Sequence, residues 1–204
     1  MHELVLILDF GSQYTQLIAR RIREEQVYCR IERSDLSATE IQSMGAKALV
    51  LSGGPSSIFE EQAPQVDPAI FELGIPILGV CYGLQIMAQH FKGNVIPGET
   101  REYGPMGIQF PTQSPLFEGV SEGSQVWMSH GDHVENIPEH FNIIARSSGD
   151  LIAGISHQSK PFYGVQFHPE VNHTVQGQTI ISNFLFKIAD FNRDWTSSSF
   201  VEDA

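Results

Sequence analysis

The chain is poor in cysteine and in positive charge. Only Cys29 and Cys81 occur among 204 residues, too few for a disulfide framework, and their setting fits a reducing compartment. Lysine and arginine number 12 against 24 aspartates and glutamates, a net charge of -12. A nucleic-acid surface needs clustered cations to neutralise phosphates, so this balance argues against a nucleic-acid partner. The one basic cluster, Arg20, Arg21 and Arg23, runs directly into Glu24 and Glu25 and reads as the solvated face of a helix. Long apolar runs are missing too. Nothing approaches the ~20 residues of a membrane span, and residues 4–8 are too short a run, ended too soon by Asp9, for a signal peptide. No membrane partner and a cytoplasmic location are therefore expected. Internal repeats and low-complexity tracts are not evident.

What remains is an ordinary globular composition. With 41% apolar residues, a chain of this length can remove roughly 70% of its unfolded surface from water, and one large domain is expected. The first half alternates short β-like runs (4–8, 28–31, 48–51, 75–80) with helical patterns (15–25, a short helix after Ser37, 69–73, 82–91). Ser37 and Glu40 have the spacing of a capping box. Such alternation predicts an α/β fold, a mostly parallel central sheet flanked by helices, with ligands at the carboxyl ends of its strands. Residues 9–14, 52–57 and Cys81 fall on the loops that leave those ends. After Asn94 strands follow one another without helices (108–110, 125–128, 143–147, 151–157, 162–167), predicting added antiparallel strands, with 158–161 as a hairpin loop. A last helix over 178–191 closes a domain of residues 1–191, and 192–204 reads as a polar, linker-like tail.

The most informative residue is Cys81, in Gly79-Val80-Cys81-Tyr82-Gly83 between a strand pattern and a helix pattern. This is the layout of a nucleophile elbow, in which small neighbours permit a tight turn and a close substrate. A helix N-terminus also favours thiolate, the attacking form. A buried structural cysteine is the alternative; Cys29 is read as one. Downstream, a β-patterned run ends in Phe167-His168-Pro169-Glu170. Pro169 biases His168 towards extended backbone, which would turn His168 and Glu170 to the same side. Glu170 then fixes the imidazole tautomer, and the order Cys, His, Glu has the logic of a catalytic triad.

Ser52-Gly53-Gly54-Pro55-Ser56-Ser57 lacks the Lys-Ser/Thr ending of a phosphate-binding loop. Given the triad, an oxyanion hole shared by the Gly54 and Tyr82 N–H groups is the better reading; an ordinary Gly-Pro turn is the other. Gln85, about one helical turn after Cys81, faces the same way; its amide suits a polar substrate, although a helix-surface glutamine facing solvent is the commoner case. Ser129-His130-Gly131-Asp132, with His133, fits a substrate rim better than a zinc site, since no further ligand pair stands at metal spacing.

These motifs together resemble the class I (triad) glutamine amidotransferases. The segments 9–16, 126–132 and 168–174 narrow the resemblance to the amidotransferase domains of GMP synthetases, over nearly the whole chain to about residue 190; Asn172 departs from the Thr expected there. The resemblance implies that Cys81 attacks the side-chain amide of L-glutamine, with His168 moving the proton and Glu170 orienting His168. It implies substrate contacts from Gly53, Gln85, Ser129, His130, Gly131 and Asp132, and no metal or cofactor in this domain. The ammonia would serve a partner, an ATP-pyrophosphatase (synthetase) domain using ATP and Mg2+ to convert XMP to GMP. That domain's Ser-Gly-Gly-x-Asp-Ser loop is not found in the sequence.

Overall fold

The computed structural model describes residues 2–196, and for 99–102 the backbone alone. The elements run β1 (Leu4–Asp9), α1 (Thr15–Glu24), β2 (Tyr28–Arg33), α2 (Ala38–Ser43), β3 (Ala46–Leu51), β4 (Ile77–Val80), α3 (Tyr82–His90), β5 (Asn94–Gln109), β6 (Gln125–Asn136), β7 (Phe141–Ser147), β8 (Ile152–His157), β9 (Phe162–Val165) and α4 (Gly177–Asn183). Among the described residues, nine strands join in one sheet, in the order β2-β1-β3-β4-β9-β8-β7-β5-β6. The first five in that order pair parallel and the rest antiparallel. The expected α/β architecture with an antiparallel extension is what the chain adopts.

Strand alternation builds the two layers. Val5 and Ile7 of β1 face one side with Val50, Leu78 and Val80, where Ile18 and Ile22 of α1 and Ile180 and Phe184 cover them. Leu4, Leu6 and Leu8 face the other side with Leu49, Leu51 and Ile77, under Ile41 of α2 and Leu84 and Met87 of α3. Both faces are buried, so these strands are apolar throughout. The capping box forms: Ser37 Oγ accepts from the Glu40 N–H, and Glu40 accepts from the Ser37 N–H at 2.8 Å.

The structure departs from the pattern in five places. Residues 68–72 form a 3-10 turn, Pro68–Glu72, in place of an α-helix. Strand β5 is much longer than the expected 108–110, pairing with β6 as an antiparallel arm with a register shift after Pro97. Strand β6 continues through the polar 129–133 segment, expected as the polar cluster in which the 125–128 strand ends. The last helix ends as α at Asn183 and continues as a π turn, Phe184–Ile188, in which the Ala189 N–H bonds Phe184 O. Finally, residues 192–196 do not dangle: the Asn192 N–H donates to Glu3 at 2.8 Å, Arg193 to Glu25 at 2.6 Å, and the Trp195 N–H to Gln26 O at 3.0 Å. The rest of the expected tail, 197–204, lies outside the described residues.

Candidate active site

Cys81 sits between β4 and α3 with φ 52° and ψ −104°, left-handed backbone that costs a non-glycine residue on the order of 1–3 kcal/mol. The surrounding sheet imposes it. The Cys81 N–H is held by Val165 O of β9 at 2.8 Å, and Cys81 O accepts from the Gln85 N–H at 3.2 Å. The turn is so tight that a Cβ on Gly83 would lie 2.3 Å from Leu51 O. Strain at a single thiol-bearing residue, retained by two strands and a helix, is the signature of a nucleophile elbow.

His168 arrives from the loop after β9 and is 4% exposed, with Glu170 fully buried behind it. Nδ1 of His168 lies 2.7 Å from Glu170 Oε1, and the imidazole and the Cys81 thiol line the same cleft. Burial alone would lower the imidazole's affinity for a proton. The Glu170 charge and its hydrogen bond, together with Cys81, outweigh that and raise His168 well above its ordinary value. A turn at Pro169 and Glu170, not continued extended backbone, brings the pair together. The loop is pinned from several sides. The His168 N–H donates to Trp127 O at 3.0 Å and Thr174 Oγ1 to His168 O at 2.6 Å, while the Tyr14 ring meets His168 edge-on at 5.4 Å.

Arg21 corrects the sequence reading. Its side chain is not solvated but 21% exposed, and it spans from α1 to donate to Glu170 O at 3.0 Å and Asn172 Oδ1 at 2.5 Å. Asn172, the departure from the family pattern, is thus a partner of this brace.

In front of the thiol lies a cleft of about 660 Å³ at the carboxyl ends of β1, β3 and β4, lined by Cys81, His168, Gly54, Tyr82, Gln85 and Ser129 to Asp132 among others. Gln85 does not face solvent: it is 3% exposed, and its Nε2 donates to Asp132 O at 2.9 Å. Ser57 Oγ donates to Asp132 Oδ2 at 2.5 Å, which ties the rim to the loop after β3. His130 bonds Asp132 O through Nδ1 at 3.0 Å, and burial pushes it down to about 4. Gly54 and Tyr82 both line the cleft, and among the described residues neither N–H donates to another backbone group. Gly53 is buried next to the catalytic pair. A Cβ there would come within 2.9 Å of His168 Cε1 and 3.6 Å of Cys81 Cβ. Among the described residues, no group of three His, Cys, Asp or Glu side chains could hold a metal ion.

The sequence reading missed Tyr14, Arg21 and Gln166, which touch the triad from elements remote in the chain. An arginine within the one basic cluster of the chain and a glutamine inside an apolar strand pattern were the available signals.

A strained cysteine elbow, an imidazole held by a buried carboxylate and a polar cleft at the strand ends define a triad amidotransferase-type site. The sequence profile of the family described as "Glutamine amidotransferase class-I" matches residues 6–188, and the chain belongs to that family. Among individual proteins, it is 52% identical over 202 residues, 99% of its length, to GMP synthase [glutamine-hydrolyzing] of Caldicellulosiruptor saccharolyticus, covering 40% of that protein. The corresponding enzyme of Clostridium novyi is 48% identical over 98% of the chain, 39% of that protein. The chain thus spans about two fifths of the length of the curated relatives it matches. A Thermoplasma acidophilum structure, solved as that of a candidate GMP synthase subunit, superposes with a TM-score of 0.84 at 31% identity, covering 100% of this chain and 99% of that one. A glutamine amidotransferase of Thermotoga maritima shares the fold, with a TM-score of 0.75 at 18% identity over 93% of this chain and 99% of that one.

Proposed function

We propose that this chain is the glutamine-hydrolysing part of a GMP synthase. The carrying observation is the strained Cys81 on a buried His168–Glu170 pair joined at 2.7 Å, open to a polar cleft in a class-I amidotransferase fold. Cys81 Sγ attacks the side-chain carbonyl carbon of L-glutamine, and His168 holds the thiol proton. The oxyanion that forms is met by the Gly54 and Tyr82 N–H groups, donors of a kind whose loss typically costs ~100 to 1000-fold in rate. His168 returns its proton to the leaving nitrogen, and ammonia departs. Water then attacks the thioester carbonyl, giving glutamate. Gln85 and the 129–132 segment bind the amino-acid end of the substrate. No cofactor is needed in this chain; ATP and Mg2+ belong to a synthetase partner, in the same polypeptide or another, that consumes the ammonia in converting XMP to GMP. The relatives named GMP synthase support that assignment, since this chain matches two fifths of their length.

An electrophilic glutamine analogue should place one covalent label on Cys81 and none on Cys29, read by peptide mass spectrometry. Cys81→Ala and His168→Ala should abolish turnover, and Glu170→Ala should cost less because it orients without bonding to substrate. Labelling of Cys29 alone, or of neither thiol, would overturn the mechanism.

A further inference from the structure

Gln166 has no part in the mechanism above, yet its side chain reaches the reacting sulfur. It follows β9 between Val165 and Phe167, both fully buried, and is itself 0% exposed. Its backbone N–H donates to Ala153 O at 2.9 Å, so the main chain alone continues the strand pairing. The side-chain Nε2 donates to Cys81 Sγ at 3.6 Å, while Oε1 is buried with no hydrogen-bond partner among the described residues. Sealing an amide carbonyl from water without a partner is unfavourable, and a methionine of similar volume would fill the space without that penalty. Packing therefore does not account for an amide at this position.

We propose that Gln166 is a further catalytic residue of the glutaminase site, whose amide N–H stabilises the Cys81 thiolate and aims its sulfur at the cleft. The inference rests on the glutaminase reading and deepens it. Three groups meet the sulfur. Ser129 O of β6, 3.7 Å away, can only accept and so favours the protonated thiol. Gln166 Nε2 can only donate and favours the charged form, because a hydrogen bond to an anion is roughly twice as strong as one to a neutral group. His168, backed by Glu170, exchanges the proton between them. The other titratable groups lining the cleft are His130 and Asp132 on β6, Glu60 beyond β3, and the phenols of Tyr14, Tyr82 and Tyr103. The same asymmetry serves the second half-reaction. Water attacks the thioester carbonyl, its proton passes to His168, the carbon–sulfur bond breaks and the electron pair returns to sulfur. Gln166 then regains a charged acceptor. Its contribution grows as sulfur leaves, which favours release of glutamate.

The test is the rate of Cys81 alkylation by iodoacetamide as a function of pH. Gln166→Met keeps the volume and removes the donor; Gln166→Glu keeps the shape and adds like charge. The midpoint of the rate profile should rise by about one pH unit in Gln166→Met and further in Gln166→Glu. Cys29 should stay unreactive, since burial raises its thiol to about 11. Midpoints equal to that of the unsubstituted chain in both variants would overturn the proposal. Where either variant fails to fold, the unsubstituted chain decides: with glutamine side chains labelled by 15N, the Gln166 amide resonance should titrate at the same midpoint as the thiol, and a resonance indifferent to Cys81 ionisation would overturn the proposal. Failure of the glutamine analogue to label Cys81 in the unsubstituted chain would sink the glutaminase reading instead, whatever the alkylation profiles show.

Discussion

Two histidines lining the same cleft are driven in opposite directions, and the pH dependence of stability follows from which one dominates. Burial holds His130 down to about 4 from an ordinary 6.5. Between those values the unfolded chain binds more protons, so the stability carried by the neutral ring, complete above about pH 6.5, is lost as the pH falls towards 4. The loss amounts to roughly 3 kcal/mol. His168 behaves inversely: raised mainly by Glu170 against the cost of burial, it contributes stability that is complete below the ordinary imidazole value and lost as the pH rises through its own. Denaturation midpoints should therefore fall between pH 6.5 and 4.5, and His130→Gln should flatten that slope. An unchanged slope in the variant would show that other groups govern acid sensitivity.

At the scale of elements, the loop after β3 positions the catalytic pair. Gly53 leaves no space for a methyl group, since its Cβ would stand 2.9 Å from His168 Cε1, and the ring must move if one is added. A displacement of about 1 Å in a catalytic group costs ~100-fold. Gly53→Ala is thus expected to slow Cys81 labelling by a factor of that order while leaving the circular dichroism spectrum and thermal midpoint nearly unchanged. Equal labelling rates would mean that the loop yields instead of the ring. The elements legible in the sequence are those with local causes. The strands β1, β3 and β4 are apolar because both faces are covered, and Cys81, His168 and Glu170 stand in short motifs. Strand β5 is hidden because Pro97, Gly104, Pro105 and Gly107 break its pattern and Tyr103 is exposed, as befits an arm with little core beneath it. The π turn keeps the apolar residues of an α-helix and leaves no separate mark. Arg21 and Gln166 are illegible for another reason: their partners lie 149 and 85 residues away, and no local pattern encodes such a meeting.

For the whole molecule, the chain carries a complete thiol site but only about two fifths of the length of its GMP synthase relatives. Ammonia released with no acceptor is wasted glutamine, so productive geometry of the cleft loops is expected to depend on the proposed synthetase partner. A matching synthetase domain with ATP and XMP should raise glutamate release well above that of this chain alone, whereas the nucleotides alone should leave it unchanged. Turnover by the isolated chain as fast as by the mixture would make it an independent glutaminase. The sheet order carries a separate consequence, for biosynthesis. Strand β9 is inserted between β4 and β8, and its Val165 O closes the bond that holds the Cys81 N–H. On a ribosome the elbow cysteine emerges long before this strand and before the histidine beyond it. Pairings between segments so distant in sequence form late. A nascent chain therefore carries only an ordinary thiol, and the order of translation itself withholds the enzyme's reactivity until the last strand has docked.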